Sequence, residues 1–441
     1  LDGLELMLAL IGFAMIAAFM ILIMTRAMSA VAALILIPII FGLIAGHGLD
    51  MGEMALSGVT ALAPTAITLV FVVLYFSIMI DAGLFDPLVR GAVRFASGDP
   101  LKVALATASV ATGVSLDGDG ATTAIVTIGA FLPIYRRIGM NPLILAVLLG
   151  TANSIINMAP WGGPMARVSS ALNVPMMDIF IPLIPTILAG IAGMFVMAFF
   201  LGSMERKRLG IVALETDSSA ALFDREPGVE RPQLFWINLL LTLTILGCAI
   251  AGFVPLPLAF MVGLAIAMMI NYPRISMQRD RIKAHSGNAL PIVLLIFAAG
   301  IFTGILEGTG MVDAMGRSLL ALVPPEYGAY FGPLVALTSG PFTFVMSNDA
   351  YYFGIVPILS ETAGHFGVAP VEVARASLLG QNIHALSPLI AAIYLVAGLM
   401  KVEVGDLQRF ALPFAVALNL FMIVVAIATG AVPLMVTQVA P

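Results

Sequence analysis

Residues 139–178 read GMNPLILAVLLGTANSIINMAPWGGPMARVSSALNVPMMD, and residues 367–406 read GVAPVEVARASLLGQNIHALSPLIAAIYLVAGLMKVEVGD. At a constant offset of 228, Gly139 meets Gly367, Pro142 meets Pro370, Ile155 meets Ile383, Pro160 meets Pro388, Val174 meets Val402 and Asp178 meets Asp406. Apolar helices resemble one another by composition, but aligned Pro, Gly and Asp are not compositional. Upstream, Gly118-Asp119 aligns with Asn348-Asp349 after a small gap, and DAGLFD (81–86) resembles EGTGMVD (307–313). The chain therefore reads as one unit used twice.

Working outward, the 441 residues are 61% hydrophobic and 10% charged, against about 25% charged in soluble chains. That balance excludes a soluble enzyme and a nucleic-acid binder. Clear apolar spans fall at 4–24, 29–46, 62–82, 179–201, 233–252, 256–272, 287–306 and 410–437, each near the ~20 residues a bilayer needs. They lack the alternation of a barrel strand, so the fold class is an all-α polytopic membrane protein. Residues 4–24 are too long and apolar for a cleaved signal and read as a span. The single Cys248 permits no internal disulfide, and no lysine follows a glycine, which excludes a Walker A loop.

Two regions, 101–176 and 329–400, are apolar yet repeatedly broken by Gly, Pro, Asn and Asp. Each reads as a re-entrant hairpin followed by a discontinuous helix, since irregular backbone at membrane depth must be buried or line a wet cavity. With both termini outside, seventeen Lys and Arg fall on the cytoplasmic side, only Arg317 and Arg375 fall outside, and Arg167 lies at depth. This requires the first hairpin to enter from the cytoplasm and the second from outside. The two units then have opposite orientation, the pattern of a secondary transporter with its site at the repeat interface.

The segments follow: scaffold spans 1–83, an amphipathic surface helix within 84–100, a first hairpin and broken helix in 101–202, and a linker over 203–232. The second unit has spans over 233–306, a connection over 307–328, and its own hairpin and broken helix in 329–441.

Four breaks carry the chemistry: LDGDGATT (116–123), NMAPWGGP (157–164), VMSNDAYY (345–352) and NIHALSP (382–388). Helices resume near Ala121, Pro164, Ala350 and Leu389. Each restart aims unpaired N–H groups at the centre, which suits an anion, and the preceding helix ends offer carbonyls, which suit a cation. Asp117, Asp119 and Asp349 are carboxylates at depth, where charge must be paired, metal-bound or protonated; capping of hairpin helices is the plainer role. Arg167 is the one basic residue at depth, with a planar fork suited to a substrate carboxylate or an Asp partner, and snorkelling to the surface as the bland option. Neutral binding groups come from Thr122, Thr123, Asn153, Asn157, Ser347, Asn348, Gln381 and Ser387, with the glycines Gly162 and Gly163 between them. His384 is either a proton carrier and hydrogen-bond donor or a structural histidine on a carbonyl.

LDGDGATT, NMAPWGGP, SNDAYYFG and H-x-x-SP, in this order, resemble the CitMHS family of bacterial citrate–metal:proton symporters along essentially the whole chain. The resemblance implies a carrier of the inner membrane, not an enzyme, with no permanently bound cofactor. Its substrate would be citrate complexed with Mg²⁺ or Ca²⁺, held by the groups above, with Asp117, Asp119 and Asp349 facing the metal. Protons would be the coupling ion, handled by Asp119, Asp349 and His384. The wider ion-transporter superfamily implies a homodimer whose transport domain moves as an elevator. Sodium-coupled relatives carry Ser-Asn-Thr at both hairpin tips, and the aspartates here depart from that. A sodium-coupled di- or tricarboxylate carrier is the alternative. An intramembrane aspartyl protease would need YD and GxGD motifs at these aspartates, and neither is present. A channel fits the inverted repeat poorly.

Overall fold

The computed structural model describes residues 3–25, 27–118, 120–211, 228–320 and 328–436. Every regular element among them is helical. The first half runs α1 (Gly3–Met24), α2 (Ala30–Ile44), α3 (Met51–Ala82), α4 (Asp86–Ala96), α5 (Pro100–Val114), α6 (Gly120–Ile138), α7 (Pro142–Ile156), α8 (Gly163–Ala171) and α9 (Met176–Leu209). The second half runs α10 (Phe235–Ile250), α11 (Leu256–Asn271), α12 (Ile275–Gly308), α13 (Met311–Leu320) and α14 (Phe331–Val345). It continues through a π-helical turn (Ala350–Ile355), α15 (Val356–Gly364), α16 (Pro370–Leu378), the short α17 (Gln381–His384), α18 (Ala391–Met400) and α19 (Val404–Ala428). The order is thus the same twice: three long helices, a short one, two hairpin arms, a broken helix and a closing helix.

The residues shared at the constant offset have local causes. Gly139 and Gly367 both take left-handed backbone, with φ of 73° and 84°, which turns the chain at no steric cost. Pro142 and Pro370 both open a helix, where the missing N–H would be unpaired anyway. The preceding turns are capped differently: the Asn141 Oδ1 accepts from the Leu143 N–H at 3.0 Å, and the Glu372 Oε2 accepts from the Ala369 N–H at 2.8 Å.

Six helices among the described residues are long and apolar enough to cross a membrane: Glu5–Ile23, Met51–Ala82, Met176–Leu209, Pro232–Ile250, Ala289–Gly308 and Val404–Ala428. Their outward faces carry large apolar side chains, such as Val196 at 68% and Phe199 at 56% exposure. A belt of this kind is tolerated against lipid, not water. Three long helices exceed the sequence expectation: α3 begins at Met51 rather than 62, α9 reaches Leu209, and α12 begins at Ile275 rather than 287. In the early part of α3 the Thr60 Oγ1 donates to the Leu56 carbonyl of the same helix at 2.8 Å. The expected span to 437 stops at Ala428, because Gly430 turns left-handed (φ 74°). A short helix stands at α4, within 84–100, with Asp86 and Arg90 paired at 3.6 Å one turn apart. Most of the expected linker, at 212–227, lies outside the described residues.

Helices α3 and α12 cross at the centre, with α11 on one and α2 on the other. Their crossing is built of glycine: a Cβ on Gly58 would stand 2.0 Å from the Gly300 carbonyl oxygen, and one on Gly304 would stand 2.3 Å from that of Met54. Small residues let backbones approach where lipid supplies no hydrophobic drive between helices. The hairpin arm α6 packs on α18, and the π turn with α15 packs on α8. Each half's hairpin therefore leans on the other half's broken helix, which brings all four breaks together.

Candidate functional site

The four breaks surround one cavity of about 320 Å³, within the range of small-molecule sites. Gly118 and Gly120 come from the first tip, Asn153, Asn157, Gly163, Pro164 and Arg167 from the first broken helix, Asn348 from the second tip, and Gln381 and His384 from the second broken helix. Apolar side chains of α7 and α18, among them Leu149 and Val396, complete the wall.

Its electrostatic centre is an ion pair. The Arg167 Nε donates to Asp349 Oδ1 at 2.6 Å, joining the first half's broken helix to the second half's tip across 182 residues. The side chains are 22% and 18% exposed, so removing one partner strands a poorly solvated charge, a loss of up to about 3–5 kcal/mol when burial is complete. Nη1 and Nη2 of Arg167 carry no hydrogen bond among the described residues, and Nη1 sits only 3.0 Å from where a Cβ on Gly163 would be. Glycine there leaves the guanidinium room. Gly162 is required by a closer approach, because a Cβ would stand 1.9 Å from the Asn157 carbonyl oxygen. Gly162 precedes α8 in extended backbone (φ −73°, ψ 146°), so the helix starts against the cavity.

The neutral groups divide. The Asn157 Nδ2 donates to Asn153 Oδ1 at 2.9 Å, while Asn153 Nδ2 and Asn157 Oδ1 are buried without a partner among the described residues. Each such orphan costs about 1–3 kcal/mol. The Gln381 Nε2 donates to Asn348 Oδ1 at 3.2 Å and to the Tyr352 hydroxyl at 2.8 Å. His384 is buried and places Nδ1 2.6 Å from the Thr343 carbonyl oxygen, which makes Nδ1 the donor and leaves Nε2 for other partners.

Other expected binders are structural in this arrangement. Ser347 accepts the Ala350 N–H at 3.2 Å and caps the restart after the second tip. The Ser387 Oγ donates to the Phe344 carbonyl at 2.7 Å, away from the cavity lining. Thr123 is buried with its hydroxyl 3.3 Å from that of Ser115, and neither Thr122 nor Thr123 lines the cavity. After the fourth break the helix restarts at Ala391 rather than near Leu389, because Ile390 is extended (φ −94°, ψ 132°). Asp119 and the Asp117 side chain lie outside the described residues. Among those described, no three His, Cys, Asp or Glu side chains converge as a metal cluster.

Sequence reasoning missed Tyr352, which stands one turn beyond Asn348 in the same break and orients Gln381. That i, i+4 spacing was readable. It also missed the neighbours of Trp161, whose ring lies 6.0 Å from Phe76 of α3 and 5.9 Å from Phe260 of α11. No sequence signal joins these three rings.

Comparison with known proteins points one way. The family model CitMHS, described as a citrate transporter, matches residues 19–380. A citrate transporter of Bacillus subtilis (strain 168) is 49% identical over 425 residues, covering 96% of this chain and 99% of that protein. A Mg(2+)/citrate complex secondary transporter of the same organism is 47% identical over 437 residues, covering 98% and 100%. Among solved structures, the Alcanivorax borkumensis YdaH transporter superposes with a TM-score of 0.60 at 17% identity, covering 87% of this chain and 89% of that one. That likeness concerns the fold alone.

Proposed function

The chain belongs to the CitMHS family of citrate transporters, and from that premise we propose that it imports citrate as its complex with a divalent metal, Mg²⁺ or Ca²⁺, together with protons. It is a carrier and not an enzyme, and the metal is cargo. The observation that carries the reading is the single cavity fed by four helix breaks, with Arg167 between it and Asp349. Helix starts and a guanidinium suit a carboxylate. Chelation lowers the trianion to about −1, which eases entry into a poorly solvated site.

Arg167 and Asp349 also suggest how protons couple. While Asp349 is ionised, it holds the guanidinium through Nε. A proton on Asp349 removes that competitor, and a substrate carboxylate then inherits the fork. Cargo and proton thereby enter together, because one cation serves two anions in turn. His384, within electrostatic reach of both, is the second proton-handling candidate, and Asp119 the third. Asp117, Asp119 and Asp349 are the proposed metal-facing carboxylates.

The motion we favour is an elevator of residues 101–202 and 329–441 against a scaffold of 1–83 and 233–306, in a homodimer with both termini outside the bacterial inner membrane. Support comes from the repeated element order and from the way the two sets meet, through the first tip, α8 and the Trp161 rings. The test is proteoliposome uptake of labelled citrate, with metal and pH gradient varied independently. An inward proton gradient should concentrate metal–citrate without sodium, and Asp349→Asn should flatten that response. Uptake that follows sodium and ignores pH overturns proton coupling.

A further inference from the structure

We infer that the Asn153–Asn157 pair is the subsite that reads the hydroxyl of the cargo, which makes it the element that selects a hydroxylated tricarboxylate over its deoxy analogue. The inference rests on the citrate reading above and assigns one more group of that substrate.

The two residues stand one turn apart at the end of α7 and on the cavity wall. Their mutual hydrogen bond spends one donor and one acceptor, and leaves Asn153 Nδ2 and Asn157 Oδ1 buried and, among the described residues, unpartnered. Reversing both carboxamides regenerates the same pattern, so the groups left wholly unused are always one amide NH2 and one amide oxygen. A carboxylate accepts only and leaves the oxygen unserved. A metal ion serves the oxygen and repels the N–H. A hydroxyl serves both from a single atom, because it donates one hydrogen and accepts at a lone pair, and its second lone pair stays open to a chelated metal. Arg167, one side of the same wall, already offers a fork for a carboxylate. The first tip limits the space: a Cβ on Gly120 would lie 3.3 Å from Asn153 Oδ1, so a side chain there would crowd the pair.

The experiment compares labelled citrate with tricarballylate, the same tricarboxylate without the hydroxyl, at saturating Mg²⁺ in proteoliposomes. The variants are Asn153→Ala, Asn157→Ala and the double Asn153→Leu/Asn157→Leu. The double change replaces both amides by apolar groups of similar shape and strands no partner. Wild type should prefer citrate, and the variants should lower that preference by at least about tenfold, the worth of one hydrogen bond, through loss of citrate affinity with tricarballylate affinity retained. Differences in chelation cancel, since every protein meets the same solutions. A wild type that does not discriminate, an unchanged ratio, or parallel loss of both substrates in all variants overturns the hydroxyl subsite while citrate transport stands. A wild type that carries neither compound overturns the citrate reading and the subsite together.

Discussion

Arg167 is the residue on which most of the site turns. It holds Asp349 through Nε, and under the proposed coupling its planar fork passes to a substrate carboxylate once Asp349 takes a proton. Lysine is a point charge and offers no fork to either partner. Arg167→Lys should therefore lower citrate uptake at subsaturating concentration by roughly tenfold or more, the equivalent of one lost charge-assisted bond. Initial rates across substrate concentration check this, and a near-normal apparent affinity would make Arg167 a structural residue. The two tip aspartates should differ. Asp119 follows Gly118, left-handed at φ 76°, and precedes Gly120 in the sequence, and glycines leave room for close approach to an ion. Asp119→Asn is expected to change the preference between Mg²⁺ and Ca²⁺ complexes or abolish transport, whereas Asp349→Asn is expected to alter mainly the pH dependence. Uptake of both complexes from about pH 5 to 8 separates them, and the reverse pattern would exchange the roles.

At the scale of elements, the α3–α12 crossing is the firmest joint. Gly58, Gly300 and Gly304 allow backbone contact that any Cβ would block. Gly58→Ala should force the helices apart and cost about 1–3 kcal/mol or more, as overpacking does. Gly52→Ala on the same helix has open space around its Cβ and should be neutral. Thermal unfolding in detergent reads the contrast, and equal midpoints for the two variants would show that the crossing tolerates separation.

For the whole molecule, Trp161 joins a moving part to a fixed one under the elevator reading. Its ring meets Phe76 of α3 and Phe260 of α11, which also contact each other, and an aromatic contact of this kind is worth about 0.5–1.5 kcal/mol beyond its buried area. Sliding of the transport domain must break it. The chain has two tryptophans, so a Trp236→Phe background isolates Trp161. Its emission should shift when Mg²⁺ and citrate are added together and stay put with either alone. Emission that never responds would mean that the rings travel as one body.

The sequence by itself determined the membrane class, the repeated unit and the four breaks, because these depend on local chemistry. Apolar length decides a span, a glycine decides a left-handed turn, and a proline decides where a helix opens. The aligned Gly139/Gly367 and Pro142/Pro370 pairs are of this kind. Which side chains touch was beyond it. Arg167 was readable as a residue needing a partner, but Asp349 became that partner only when the second hairpin leaned on the first broken helix. Ser387 and Thr123, alike in type to the site residues, were turned to bury their hydroxyls elsewhere. The Trp161 rings and the Asn153–Asn157 orphans depend on packing between segments far apart in the chain. Hydrogen bonds between distant segments, such as Arg167 to Asp349, are set by tertiary approach, and no local pattern encodes that distance.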